Sequence, residues 1–66
     1  MKNHVLKILP NSEAETYFVN EIMPNCKDKV ICRLGMMFGN YWNEYEITHD
    51  DYKRCQKFIK ILKGES

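Results

Sequence analysis

The sequence predicts a small α+β domain. It would be an antiparallel meander of order ββββα, with one C-terminal helix packed on one face of the sheet. Three observations carry this reading. Gly39-Asn40 sits between two strand-like runs. A capped amphipathic stretch closes the chain. Two Pro-Asn pairs, Pro10-Asn11 and Pro24-Asn25, each follow an apolar pair. Proline presets φ for the second position of a turn and asparagine suits the third, so both pairs read as strand exits.

Taken in order, His4 to Leu9 reads as the first strand. Residues 13 to 23 admit two readings. Thr16-Tyr17-Phe18-Val19 favours a strand by propensity. Ser12-x-x-Glu15 is a capping box, and Ala14, Phe18 and Ile22 share a helical face that ends before Pro24. The strand is preferred, and βαββα is the alternative order. The next two strands form a hairpin. Gly-Asn suits a two-residue type II′ turn. Pairing outward sets Phe38 against Tyr41, Met37 against Trp42, Gly35 against Glu44 and Arg33 against Glu46. One face then collects Cys32, Leu34, Met36, Phe38, Tyr41, Tyr45 and Ile47, with Asn43 as its polar member. The other joins Arg33 to Glu46. Last, Thr48 caps a helix over residues 49 to 63. Tyr52, Cys55, Phe58, Ile59 and Leu62 form its apolar stripe, acids stand at its start and lysines at its end.

A chain of 66 residues is one domain, 1–66. Size scaling gives a folded surface of about 4,400 Å², so only about 60% of the unfolded surface is buried and stability is marginal. A net charge of +1 is too balanced for nonspecific coating of nucleic acid or for a polybasic membrane anchor. No apolar run is long enough to span a bilayer, and no apolar region of signal-peptide length follows Met1-Lys2-Asn3-His4. Three cysteines, an odd number, read as reduced thiols, so the protein is placed in the cytoplasm. Cys32 and Cys55 read as small core residues.

Chemistry is weakly signalled. The cysteines and histidines lack zinc-ligand spacing, so no metal or cofactor is expected. Cys26, beside Lys27 and Lys29, is the one thiol in an electropositive setting, and it ranks a distant third as a catalytic candidate. A fold this small has little room for a pocket of ~300 Å³. The expectation is a protein that is not an enzyme.

Two surfaces remain. Met37 and Trp42 fall on the face away from the helix, where Phe18, from a second strand, would cover Gly35. An aromatic and methionine patch rimmed by charge has the make-up of a binding hot spot. The expected site has Met37 and Trp42 as anchors, with Arg33, Glu44, Glu46 and the turn Gly39-Asn40 as rim. The partner would be another protein or protein complex, with a homodimer as the ordinary alternative. The second surface is the basic helix face of Lys53, Arg54, Lys57 and Lys60, which would make the protein a small nucleic-acid binder. Lys, Asn and Ile supply 20 of the 66 residues, the bias of an AT-rich genome. Size, charge balance and free thiols together resemble the general run of small phage or mobile-element proteins. Such proteins sterically block a host defence or transcription complex in the host-cell cytoplasm. No motif of a particular family accompanies that resemblance.

Overall fold

The computed structural model describes residues 2–64 and has a three-stranded antiparallel sheet with helical segments on one face. The elements are β1 (Asn3–Ile8), α1 (Glu13–Tyr17), β2 (Ile31–Met37), β3 (Asn40–Thr48), α2 (His49–Arg54) and α3 (Gln56–Leu62). α1 runs on through a π-helical turn (Phe18–Ile22) into a 3₁₀ turn (Met23–Asn25). The class is α+β, but residues 13 to 23 are helical, so the βαββα order is the one taken. The capping box decides it locally. Ser12 Oγ accepts from Glu15 N at 3.2 Å, and Glu15 Oε1 accepts from Asn11 N at 3.0 Å. Burial decides it globally. Phe18 and Ile22, one helical turn apart, are both fully enclosed.

The sheet is no meander. Its order is β1-β3-β2, with β3 central. The core gathers Leu6 and Ile8 of β1, Tyr45 and Ile47 of β3, Phe18 and Ile22, and Cys55 and Ile59 of the C-terminal helices. Phe18 stacks on Tyr45 with ring centroids 4.4 Å apart. It therefore lies inside the core and does not cover Gly35 on the far face. The helices bridge β1 and β3 and leave β2 outside. Cys32 is consequently exposed, whereas Cys55 is buried as expected.

The hairpin turns one residue earlier than predicted, which slips the strand pairing by two. Met37 pairs with Asn40, Gly35 with Trp42, Arg33 with Glu44 and Cys32 with Tyr45. The turn residues are Phe38 and Gly39, both at positive φ, +52° and +80°. That is the type I′ pattern, whose twist matches the flanking strands. A slip of two preserves the alternation of faces, so only Phe38 leaves the predicted apolar face.

The C-terminal helix starts where predicted, with Thr48 Oγ1 accepting from Asp51 N at 3.2 Å. It bends at Cys55 (φ −101°, ψ 18°). The i→i−4 bonds still run through that residue, Cys55 N to Asp51 O at 3.0 Å and Ile59 N to Cys55 O at 2.9 Å. No described helix is long and apolar enough to cross a membrane.

Candidate binding surface

The sheet's two faces differ in what they leave open. Met37, Trp42, Arg33, Glu44 and Glu46 share the face away from the helices, together with Val5 and Lys7 of β1. Trp42 is not a free anchor there. Its ring lies on Gly35, its Nε1 donates to Glu44 Oε2 at 2.8 Å, and Lys7 Nζ stands 5.3 Å from the ring centroid. The glycine makes this possible, because a side chain at position 35 would occupy the ring's place. Arg33 forms an ion pair with Glu46, and Asn3 Nδ2 donates to the same carboxylate at 2.7 Å. The predicted rim is thus a self-satisfied polar lattice with Trp42 built into it. Met37 stays exposed beside the turn, next to Gly39 and Asn40.

The inner face carries the surface that sequence reasoning assigned to the core. Leu34, Met36 and Tyr41 are all well exposed beyond the last covered row, and Phe38 at the hairpin tip is 95% exposed. The helix stripe was expected to cover them. It does not, because β1 joins the opposite side of β3 and draws the helices with it. The order β1-β3-β2 is a long-range pairing, and no local pattern in the chain signals it. The edge position of β2 could have been suspected from Gly35 and the lone charge of Arg33, but not deduced from them.

Lys53, Arg54, Lys57 and Lys60 are exposed on α2 and α3, as expected of a solvated face. Arg54 also lies 3.7 Å from Asp51, so its charge is partly engaged. Cys26 is half-buried and its Sγ donates to Ile22 O at 3.4 Å. Burial, with Cys55 and Asp51 nearby, pushes its thiol up to about 12, so it holds its proton at neutral pH. A cavity of about 450 Å³ is an open groove along the polar side of α1. It exceeds the size expected for so small a chain, but no cysteine, histidine or lysine lines it. Among the described residues no group of three or more His, Cys, Asp or Glu is placed to hold a metal ion.

One ionisable pair has a consequence for stability. His4 Nε2 and His49 Nδ1 share a hydrogen bond at 2.9 Å, and His4 stacks on Tyr52 at 3.8 Å. Burial, then the charges of His49, Lys63 and Lys2, hold His4 below the ordinary 6.5. The folded protein therefore binds its proton less readily than the unfolded chain. Stability is full above pH 6.5 and falls as the pH drops below that value. His4→Phe keeps the stacking and flattens this dependence, measurable by urea unfolding at a series of pH values. An unchanged slope in the variant would place the dependence elsewhere.

No protein family, no curated protein and no solved structure matches the chain.

Proposed function

We propose that the protein is a small non-enzymatic protein-binding module that acts through the free end of its β2–β3 hairpin. Phe38 carries this reading. An aromatic side chain almost wholly in solvent forfeits burial. The same residue sits at φ +52°, a conformation that L side chains rarely adopt. Asparagine there, followed by Gly39, would be the favoured type I′ pair. A residue that costs stability in both ways fits contact with something else. Leu34, Met36 and Tyr41 continue the apolar surface along the inner face, and Met37 with Gly39-Asn40 completes the tip. Arg33, Glu44, Glu46 and Trp42 form a braced polar back. The mechanism is steric occlusion, a rigid apolar prong that fills a partner's cleft. The balanced charge, free thiols and AT-rich bias favour a mobile-element inhibitor of a host complex as the setting.

Phe38→Asn separates binding from folding. The variant should be more stable by roughly 0.5–1 kcal/mol, because positive φ suits asparagine. It should bind at least ~10-fold more weakly to a partner captured with the wild-type bait and then purified, as expected for a lost aromatic anchor. Equal affinity of the two proteins for that partner would sink the proposal.

A further inference from the structure

We propose that two copies of the chain pair through the outer edge of β2, antiparallel, about a two-fold axis at Leu34. β2 is the terminal strand of the sheet. Counting out from a two-residue turn, alternate residues direct their N–H and C=O groups towards β3: Met37, Gly35, Arg33 and Ile31. Cys32, Leu34 and Met36 direct theirs outward, where no strand follows. Edges are ordinarily blunted by lysine, proline, bulges or brevity. The β1 edge carries Lys7, with Lys2 just before the strand. β2 runs for seven residues with no proline, and it pairs with β3 in an unbroken one-to-one register. Its single charge, Arg33, is already tied to Glu46 of its own chain.

The strand is also complementary to itself. With Leu34 on the axis, Leu34 meets its twin, Cys32 meets Met36, Ile31 meets Met37, and Arg33 meets Gly35. Like charges do not meet, apolar side chains pair on both faces, and every outward-facing residue gains a bonded partner. Centring on Arg33 would oppose two guanidinium groups, and centring on Gly35 would leave Cys32 beyond the end of the partner strand. The accessible surface points the same way. It is 4977 Å², against the ~4,400 Å² that scaling gives a folded monomer of this mass.

The axis runs perpendicular to the sheet, so both copies keep their helices on one side. The order becomes β1-β3-β2-β2-β3-β1, with the Leu34, Met36 and Tyr41 surfaces of the two copies side by side. Both hairpin tips stay free, so this pairing does not depend on the function proposed above.

Sedimentation of the wild type over a wide concentration range should show a monomer–dimer equilibrium. Leu34→Lys changes a side chain that is 63% exposed, so the monomer should keep its far-UV spectrum. Opposed ammonium groups on the axis should weaken the dimer at least ~10-fold. A second variant reads the register directly. In a Cys32→Ser background, Leu34→Cys places two thiols on residues whose Cα atoms are about 5.5 Å apart, within disulfide reach. Mild oxidation should give a covalent dimer, whereas wild-type Cys32, opposite Met36, should give none. A wild type that is monomeric throughout would overturn the inference. So would a dimer indifferent to Leu34→Lys, or a Leu34→Cys protein that does not cross-link. A monomer whose partner binding still depends on Phe38 would overturn the pairing and leave the proposed function standing.

Discussion

Replacing Asp51 with alanine should leave the protein largely unfolded at room temperature. Asp51 is the one buried charged side chain among the described residues. Its Oδ1 accepts from Lys27 N at 2.9 Å and its Oδ2 from Asp28 N at 3.0 Å. Arg54 Nε lies 3.7 Å away. The carboxylate thus fastens the loop after the 3₁₀ turn to the first turn of α2. Thr48 closes the ring, its Oγ1 donating to Asp28 Oδ2 at 2.9 Å. Alanine would strand two backbone donors in a site built around a charge. That costs roughly 3–4 kcal/mol, most of what a core this small supplies. Asp51→Asn keeps one acceptor but turns an NH₂ towards the other donor, and should cost roughly half as much. Urea unfolding of the three proteins checks the order, and a wild-type-like Asp51→Ala midpoint would refute the role.

The same site makes a pH prediction of the same sign as that of His4, in a lower pH range. Burial alone would raise the Asp51 carboxyl. The Lys27 and Asp28 amides, Thr48 and Arg54 outweigh it and hold the carboxyl below its ordinary 3.8. A depressed carboxyl contributes stability that is complete above pH 3.8 and is lost as the pH falls through the lower folded value. His4 begins to weaken the fold below pH 6.5. Acid unfolding should therefore run in two stages, with the second absent from Asp51→Asn.

Gly35→Ala should destabilise the protein by roughly 1–3 kcal/mol and shift the emission of Trp42 to the red, the response of a site with no spare room. A Cβ there would stand 2.3 Å from Trp42 Nε1 and 2.8 Å from Glu44 Oε2. No real contact is so short, so the ring must leave the strand. It would lose its bond to Glu44 and its place beneath Lys7. Trp42 is the only tryptophan, so its emission reports this displacement alone. An alanine variant with unchanged emission and midpoint would mean the ring does not depend on the glycine.

Much of the local structure was legible in the chain. Thr48 and Ser12 cap their helices because a hydroxyl there accepts from the third amide on, a rule that needs three residues and no context. The hairpin's faces were legible because strand side chains alternate with period two, and that survives an error of two in the register. The register itself was misread. Gly39-Asn40 is a good turn pair, and nothing in the letters shows that Phe38 takes a left-handed backbone so that Gly39 can stand second in the turn.

Residues 13 to 23 were balanced between strand propensity and a capping box. The balance is tipped by the space between the sheet and the C-terminal helices, which takes Phe18 and Ile22 together. In the sequence Asp51 is one of the acids at the start of the last helix, whereas its carboxylate serves a loop 23 residues earlier. The expected binding residues were placed on one face correctly, but whether that face is open was not legible. Trp42 closes over Gly35 in the observed register.

By itself, then, the sequence determined the class, the caps, the alternation of the hairpin and the stripe of the last helix. Each rests on neighbours within a few positions, where covalent geometry and side-chain period leave few choices. The pairing of β1 with β3, and so which half of the apolar face is buried and which stays exposed, is settled only in three dimensions. That choice is made by contacts some forty residues apart, such as Leu6 with Tyr45. Their energy depends on burying one shared core, which no local segment of the chain encodes.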